Sequence, residues 1–212
     1  MSAPEYLTLG GEGTSRYEEK KSVFLGFAGK FEKEEDVLAW LGGLKRAYPD
    51  ARHHVYAYRL REGNTTRYSD DREPQGTAGM PTLDVLRQKE LLDCAVCVIR
   101  YFGGTLLGTG GLVHAYGTAA ADAVKDAGIV KMESRKTFSL ALSYADHPRV
   151  QTILADAGAV VSDVAYAEGV TVTGTVAEGS TESLSRALSD ATAGRANPEW
   201  GETVFSPVPI DR

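Results

Sequence analysis

Cysteine is nearly absent: the chain has two in 212 residues, Cys94 and Cys97, too few and too close together for a disulfide framework. Long apolar runs are absent too. The longest spans the six residues 94–99, against the roughly 18 needed to cross a bilayer, so no membrane span is expected. The stretch 1–10 has no basic residue and no apolar core, so no secretory signal and a cytoplasmic protein are expected. No Gly-x-Ser-x-Gly elbow and no cysteine–histidine pairing is found, which leaves a nucleophilic triad unsupported. What the chain does have is an ordinary globular balance. At 42% hydrophobic and 25% charged residues it can bury a real core, which excludes a disordered tail.

The formal charge of −6 is unevenly placed. Residues 1–136 carry 19 Lys/Arg and 19 Asp/Glu, whereas residues 137–212 carry 4 and 10, so the whole negative excess lies in the last third. Two bodies with different surfaces are expected, meeting near Lys136. An acidic surface repels phosphate backbones, so any nucleic-acid contact falls to the first body. There the stretch 45–67 holds Lys45, Arg46, Arg52, Arg59, Arg61 and Arg67 against Asp50 and Glu62, a local charge of +4.

Periodicity predicts an opening strand over 22–30, then a helix over 34–48 with Val37, Leu41, Leu44 and Tyr48 on one face. The runs 55–61 and 67–69 flank the turn residues Glu62, Gly63 and Asn64, and read as a hairpin. Pro81 suits the first turn of a helix running to about Glu90, where its missing amide would have no helical partner. A buried strand over 94–100 leads through a glycine-rich loop, 103–111, into a helix over 112–127, which Gly128 can stop in a left-handed conformation. From 137 the order is strand 137–143, helix 148–157, strands 159–166 and 170–177, helix 181–193 and strand 203–208. That βαββαβ order is ferredoxin-like. Domains are expected at 1–136 and 137–212.

Three clusters carry candidate chemistry. The loop 103–111 places glycines before a helix start, where exposed amides and close backbone approach suit an anion. It matches neither a P-loop, because Gly108 is followed by Thr109 and Gly110 rather than Lys, nor a dinucleotide fingerprint, because Val113 stands where a small residue is required. Tight helix-on-strand packing explains the same glycines equally well. In the stretch 69–79, Asp70, Asp71 and Glu73 could hold a metal ion or serve as acid and base, or simply form a solvated turn. His53 and His54 precede a strand, so their rings should point to opposite faces and cannot chelate one metal. Cys94 and Cys97 have redox-motif spacing but sit in a buried strand, and read as inert core thiols.

Residues 100–117, Arg-Tyr-Phe-Gly-Gly-Thr-Leu-Leu-Gly-Thr-Gly-Gly-Leu-Val-His-Ala-Tyr-Gly, strongly resemble the signature of the IMPACT family in its bacterial YigZ-type branch. Supporting segments are 20–22, 49–54, and Ser69, Asp70 and Asp71 with Glu73, Pro74 and Gly76 to Gly79. The sequence departs from the usual family pattern at Val23, Arg72 and Gln75, where arginine, glycine and a small residue are usual. The resemblance implies an α+β protein of two domains: an N-terminal α/β sandwich related to the second domain of ribosomal protein S5, and a ferredoxin-like C-terminal domain similar to the fifth domain of the translocation elongation factor. Both implied relatives belong to translation.

The leading expectation is therefore a non-enzymatic cytosolic regulator or binding protein linked to translation, contacting RNA, the ribosome or a translation factor through its N-terminal domain. The ligand-binding set is Asp70, Asp71, Glu73, Thr77, Arg100, Gly103, Gly104, Gly108, Gly110 and Gly111. The nucleic-acid-binding set is Arg52, His53, Arg59, Arg61 and Arg67, imagined with both loops as one recognition face. No cofactor, resident metal or catalytic residue is assigned. The alternative is a small enzyme acting on a phosphorylated or nucleotide substrate, with Asp70, Asp71 and Glu73 holding a metal and the loop 103–111 holding phosphate. Both need the two loops to share one cleft.

Overall fold

A computed structural model describes residues 5–209. The first four residues of the stretch 1–10 lie outside the described residues. The chain divides into two compact units, Tyr6–Lys131 and Met132–Pro207, each mixing helices and strands.

The N-terminal unit runs β1 (Tyr6–Leu9), β2 (Gly13–Glu19), β3 (Ser22–Lys30), α1 (Glu34–Ala47), β4 (His53–Leu60), β5 (Thr65–Ser69), α2 (Gly79–Gln88), β6 (Cys94–Tyr101) and α3 (Gly108–Ala127). Its sheet has the order β2-β3-β6-β4-β5, with neighbours antiparallel. β6 lies in the middle and is covered on both faces, which is why it reads as an unbroken apolar run rather than an alternating one. Helix α1 covers one face with Val37 and Leu41 against Tyr58, Leu60, Cys97 and Ile99. Its acidic first turn (Glu34, Glu35, Asp36) and basic last turn (Lys45, Arg46) both suit the helix dipole. Helices α2 and α3 cover the other face, against Phe24, Val55, Val96 and Val98. The result is a three-layer α/β sandwich.

Helix α3 approaches the sheet closely because the facing residues are small. Ala115, Ala119, Ala120 and Ala123 are fully buried, and Ser15 donates a hydrogen bond to the Ala119 carbonyl at 2.7 Å. A Cβ built on Gly13 would lie 2.2 Å from the Ala123 carbonyl oxygen, so only glycine fits there. Gly128 stops the helix with the positive φ that glycine allows, +70°, but its ψ of 156° lies outside the left-handed helical conformation expected. Cys94 and Cys97 point to opposite faces of β6, into different clusters, and burial pushes both thiols up to about 12.

The chain does not open with the strand over 22–30, because β1 and β2 precede it. The inward positions of β2 are Gly13, Ser15, Tyr17 and Glu19, too polar and too small to display a hydrophobic alternation.

The C-terminal unit follows the βαββαβ order: β7 (Ile129–Leu142), α4 (His147–Asp156), β8 (Val160–Tyr166), β9 (Val170–Ala177), α5 (Thr181–Thr192) and β10 (Glu199–Pro209). The strand order β8-β9-β7-β10 is that of a ferredoxin-like sheet. Leu140, Val150, Leu154, Val172, Leu184 and Leu188 form its core. The division between units falls between Lys131 and Met132, inside β7, five residues before the expected boundary after Lys136. Arg135 helps to hold this segment in the sheet: it is buried and donates to the carbonyl oxygens of Gly158 at 2.6 Å and Thr175 at 3.1 Å.

Candidate ligand-binding site

Strand register builds the site. β4 and β6 are antiparallel neighbours in which His53 pairs with Arg100, so the start of β4 lies beside the end of β6. The loop after β6 and the loop between β5 and α2 both reach a cavity of about 590 Å³ at this end of the sheet. Arg52, His53, Arg72, Glu73, Arg100 and Thr109 line it, together with an apolar wall of Phe102, Leu106, Leu107 and Leu112. The two loops do share one cleft.

At its floor lies a buried polar network. Glu73 Oε1 accepts from Arg100 Nη1 at 2.6 Å and from the Tyr116 hydroxyl at 2.8 Å, with the Glu73 and Arg100 side chains 5% and 6% exposed. Arg100 also donates to Ser22 Oγ at 3.3 Å, and its guanidinium lies 5.5 Å from the ring centroids of Phe24 and Phe102. Its Nε is buried without a hydrogen-bond partner. Burial, reinforced by the Glu73 carboxylate, pushes the Tyr116 hydroxyl far above the usual phenol range and keeps it a donor.

His53 Nδ1 lies 2.8 Å from the Asp71 carbonyl oxygen, which can only accept, so Nδ1 carries the proton; this leaves Nε2, 3.7 Å from Glu73 Oε1, on the cavity side. His54 turns to the opposite face, where its Nε2 meets the Tyr48 carbonyl at 3.1 Å and burial lowers its pKa. The separation of the two rings agrees with the strand reading.

The acidic cluster divides by role. Asp70 accepts from the amides of Gly76 (2.9 Å), Ala78 (3.1 Å) and Gly79 (2.8 Å), placing its charge at the start of α2. Asp71 accepts from the His54 amide at 2.6 Å, and the Thr77 hydroxyl donates to the Pro74 carbonyl at 2.7 Å. These three side chains shape the loop instead of facing a ligand, and only Glu73 of the three carboxylates lines the cavity. Among the described residues, no group of three His, Cys, Asp or Glu is arranged to hold a metal ion. The metal-holding set of Asp70, Asp71 and Glu73 therefore has no geometric basis, because the first two are committed to backbone amides.

The glycine loop divides as well. Gly108 lines the cavity at the start of α3. Gly103 serves packing: a Cβ there would lie 2.1 Å from the Lys21 carbonyl carbon, and its amide donates to Ser22 Oγ at 3.1 Å. Gly104 and Gly108 take φ of +86° and +73°. Gly104, Gly110 and Gly111 are not on the cavity wall.

The basic set separates along β4. Arg52 and His53 stand at the cavity, whereas Arg59 and Arg61 lie at the other end of the strand, roughly 20 Å away at 3.3 Å per residue. Arg61 Nε pairs with Asp93 Oδ2 at 2.7 Å and its guanidinium lies 3.8 Å from the Tyr6 ring centroid; Arg59 donates to the Leu91 carbonyl at 3.2 Å. Arg67 is exposed beside Glu34 at 4.0 Å. The expected single face of hairpin and loops is not formed, because alternation and strand length carry these arginines elsewhere. Ser22, Arg72, Phe102, Thr109 and Tyr116 are site residues that residue-type reasoning missed, although Ser22, Phe102, Thr109 and Tyr116 fall within the segments carrying the family resemblance.

Comparison with known proteins agrees with this architecture. The Impact N-terminal domain matches residues 20–124, and a domain of unknown function, DUF1949, matches residues 140–195. The chain is similar to the IMPACT family member YvyE of Bacillus subtilis, at 28% identity over 201 residues covering 94% of this chain and 93% of YvyE. It is 33% identical over 197 residues to an IMPACT family member of Haemophilus influenzae, covering 90% of this chain and 94% of that protein. A solved structure described as a hypothetical protein superimposes with a TM-score of 0.59 at 27% identity, covering 93% of this chain and 97% of its own. Among the described residues no helix is long and apolar enough to cross a membrane. With both domain matches falling in order on the two units, and relatives aligned along nearly the whole length, the chain belongs to the IMPACT family.

Proposed function

We propose that this protein is a binding protein of the translation apparatus that takes a phosphate-bearing unit of RNA in the N-terminal cavity. One observation carries the reading: Arg52, Arg72, Arg100 and the uncapped first turn of α3 converge on a single cavity that also offers an apolar wall. Helix N-terminal amides and guanidinium groups hold phosphate oxygens, while Phe102 and Leu106 provide a surface on which a base can lie. The acidic C-terminal domain, with its whole excess of −6, disfavours phosphate, so the contact belongs to the N-terminal domain. The link to translation rests on the resemblance of both domains to translation proteins, and cosedimentation with ribosomes tests it.

Binding itself is tested by fluorescence anisotropy of a short labelled single-stranded RNA at several salt concentrations. Arg52→Ala should weaken binding and reduce the salt slope by roughly 0.7, the contribution of one phosphate contact on a single strand. Arg61→Ala, which removes a guanidinium already paired with Asp93, should leave the slope unchanged. Equal behaviour of Arg52→Ala and the unmodified protein would sink the assignment.

A further inference from the structure

The charge of the cavity and the backbone at its rim narrow the ligand further. We infer that the site selects a terminal phosphate, a phosphomonoester on a nucleotide or at the end of an RNA chain, over an internal phosphodiester, and that Arg72 makes the selection. This inference rests on the binding function proposed above. Three arginines line the cavity against one carboxylate, Glu73. Glu73 and Arg100 offset each other at 2.6 Å; Arg72 has only a long, exposed ion pair with Asp71 at 3.8 Å, off the cavity wall, and Arg52 has no carboxylate beside it on that wall. A phosphodiester carries one negative charge, whereas a phosphomonoester carries about −1.5 to −2 at neutral pH and has an additional oxygen to accept hydrogen bonds. Two guanidinium groups that no carboxylate of the cavity wall offsets complement the second.

Further donors belong to residues of the same cavity wall. Arg100, 5% exposed and on the cavity wall, keeps a buried Nε with no hydrogen-bond partner, so its guanidinium still has an uncommitted N–H. The first turn of α3 has neither a side-chain cap nor an acidic residue, and its Gly108 and Thr109 line the cavity.

Arg72 stands out because of its backbone. It adopts φ +72°, directly after Asp71 at +39°, so two consecutive non-glycine residues occupy the left-handed region at the rim. Glycine would take that conformation without strain. Arg72 Nη2 is hydrogen-bonded at 2.8 Å to the carbonyl oxygen of Arg52, so the strained backbone holds one cation beside the residue bearing the other. Like charges held together in this way suit an anion between them, and strain of this kind gathers at ligand clamps.

The test uses the full chain and three matched pairs of probes: one short RNA with a 5′-phosphate or a 5′-hydroxyl, the same RNA with a 3′-phosphate or a 3′-hydroxyl, and AMP or adenosine. Calorimetric titration should show the phosphorylated member of at least one pair binding about tenfold or more tightly, the size of one added charge-assisted contact. The pair with the largest ratio identifies the source of the phosphate. Arg72→Gly should melt no lower than the unmodified protein and should lose most of that ratio, weakening the phosphorylated member of the pair far more than the unphosphorylated one. Arg72→Lys, which keeps the charge but not the planar fork, should retain part of the ratio. If the unmodified protein binds RNA but ignores terminal phosphates, or if Arg72→Gly keeps the full ratio or melts several degrees lower, this inference is overturned while the binding function stands. If it binds no member of any pair, both fall.

Discussion

Replacing Glu73 with glutamine isolates the buried network beneath the cavity. Glu73 Oε1 holds Arg100 at 2.6 Å and Tyr116 at 2.8 Å, and neither ionised side chain is more than 6% exposed. Glutamine keeps an oxygen for the Tyr116 hydroxyl but removes the countercharge, leaving the Arg100 guanidinium between Phe24 and Phe102 with one N–H already unpartnered. Breaking a buried ion pair from one side costs about 3–5 kcal/mol, and the retained Tyr116 bond places this case at about 3. For a domain of this size that corresponds to a Tm lower by roughly 10–15 °C. Differential scanning calorimetry reads the change directly. The double variant Glu73→Gln with Arg100→Met removes the stranded charge and should regain more than half of the loss. A single variant within about 1 kcal/mol of the parent, or a double variant no better than the single, would refute the reasoning that an uncompensated cation dominates.

Glycine substitutions should rank by mechanism in the same assay. Gly103→Ala, whose methyl meets the Lys21 and Ser22 backbone within 2.3 Å, should be the most destabilising, Gly104→Ala should cost about 1 kcal/mol through its φ of +86°, and Gly110→Ala, with open space around it, should change little. Ellman's reagent should label neither cysteine in the folded protein and both after unfolding, since burial raises each thiol from 9.0 to about 12. Because the folded thiols keep protons that the unfolded chain releases, stability should fall as pH rises from about 9 towards 12, and a flat profile there would contradict their burial. Limited proteolysis should cut first in the loop 102–107, where Leu106 is 84% exposed, and a first cut in 130–137, which lies within β7, would contradict the continuity of that strand.

The ferredoxin-like half is legible in the sequence because its strands and helices carry clean periods: Val170, Val172 and Val176 alternate inward, and Leu184 and Leu188 share a helical face. The start of β7 is not, since Lys131, Glu133, Arg135 and Lys136 look like a solvated junction until Arg135 is found hydrogen-bonded inside the sheet. The glycine loop and the acidic loop are both visible as candidates, and their shared cavity follows from the placement of β4 beside β6. The decisive pairing is not readable locally. Glu73 and Arg100 are 27 residues apart, and only the register that pairs His53 with Arg100 makes them partners. Counting the arginines of 45–67 as one patch fails for the same reason, because a strand carries Arg52 and Arg61 to opposite ends of a sheet.

In the proposed function, phosphate-bearing RNA enters the cavity formed where β4 and β6 meet the first turn of α3. Titrating uniformly 15N-labelled protein with a short 5′-phosphorylated RNA, followed by amide shifts, tests it most directly. The largest saturable shifts should fall at the amides of Gly108, Thr109, Arg52 and Arg72. Shifts confined to the hairpin around Arg59, Arg61 and Arg67, or to the acidic domain, would contradict it.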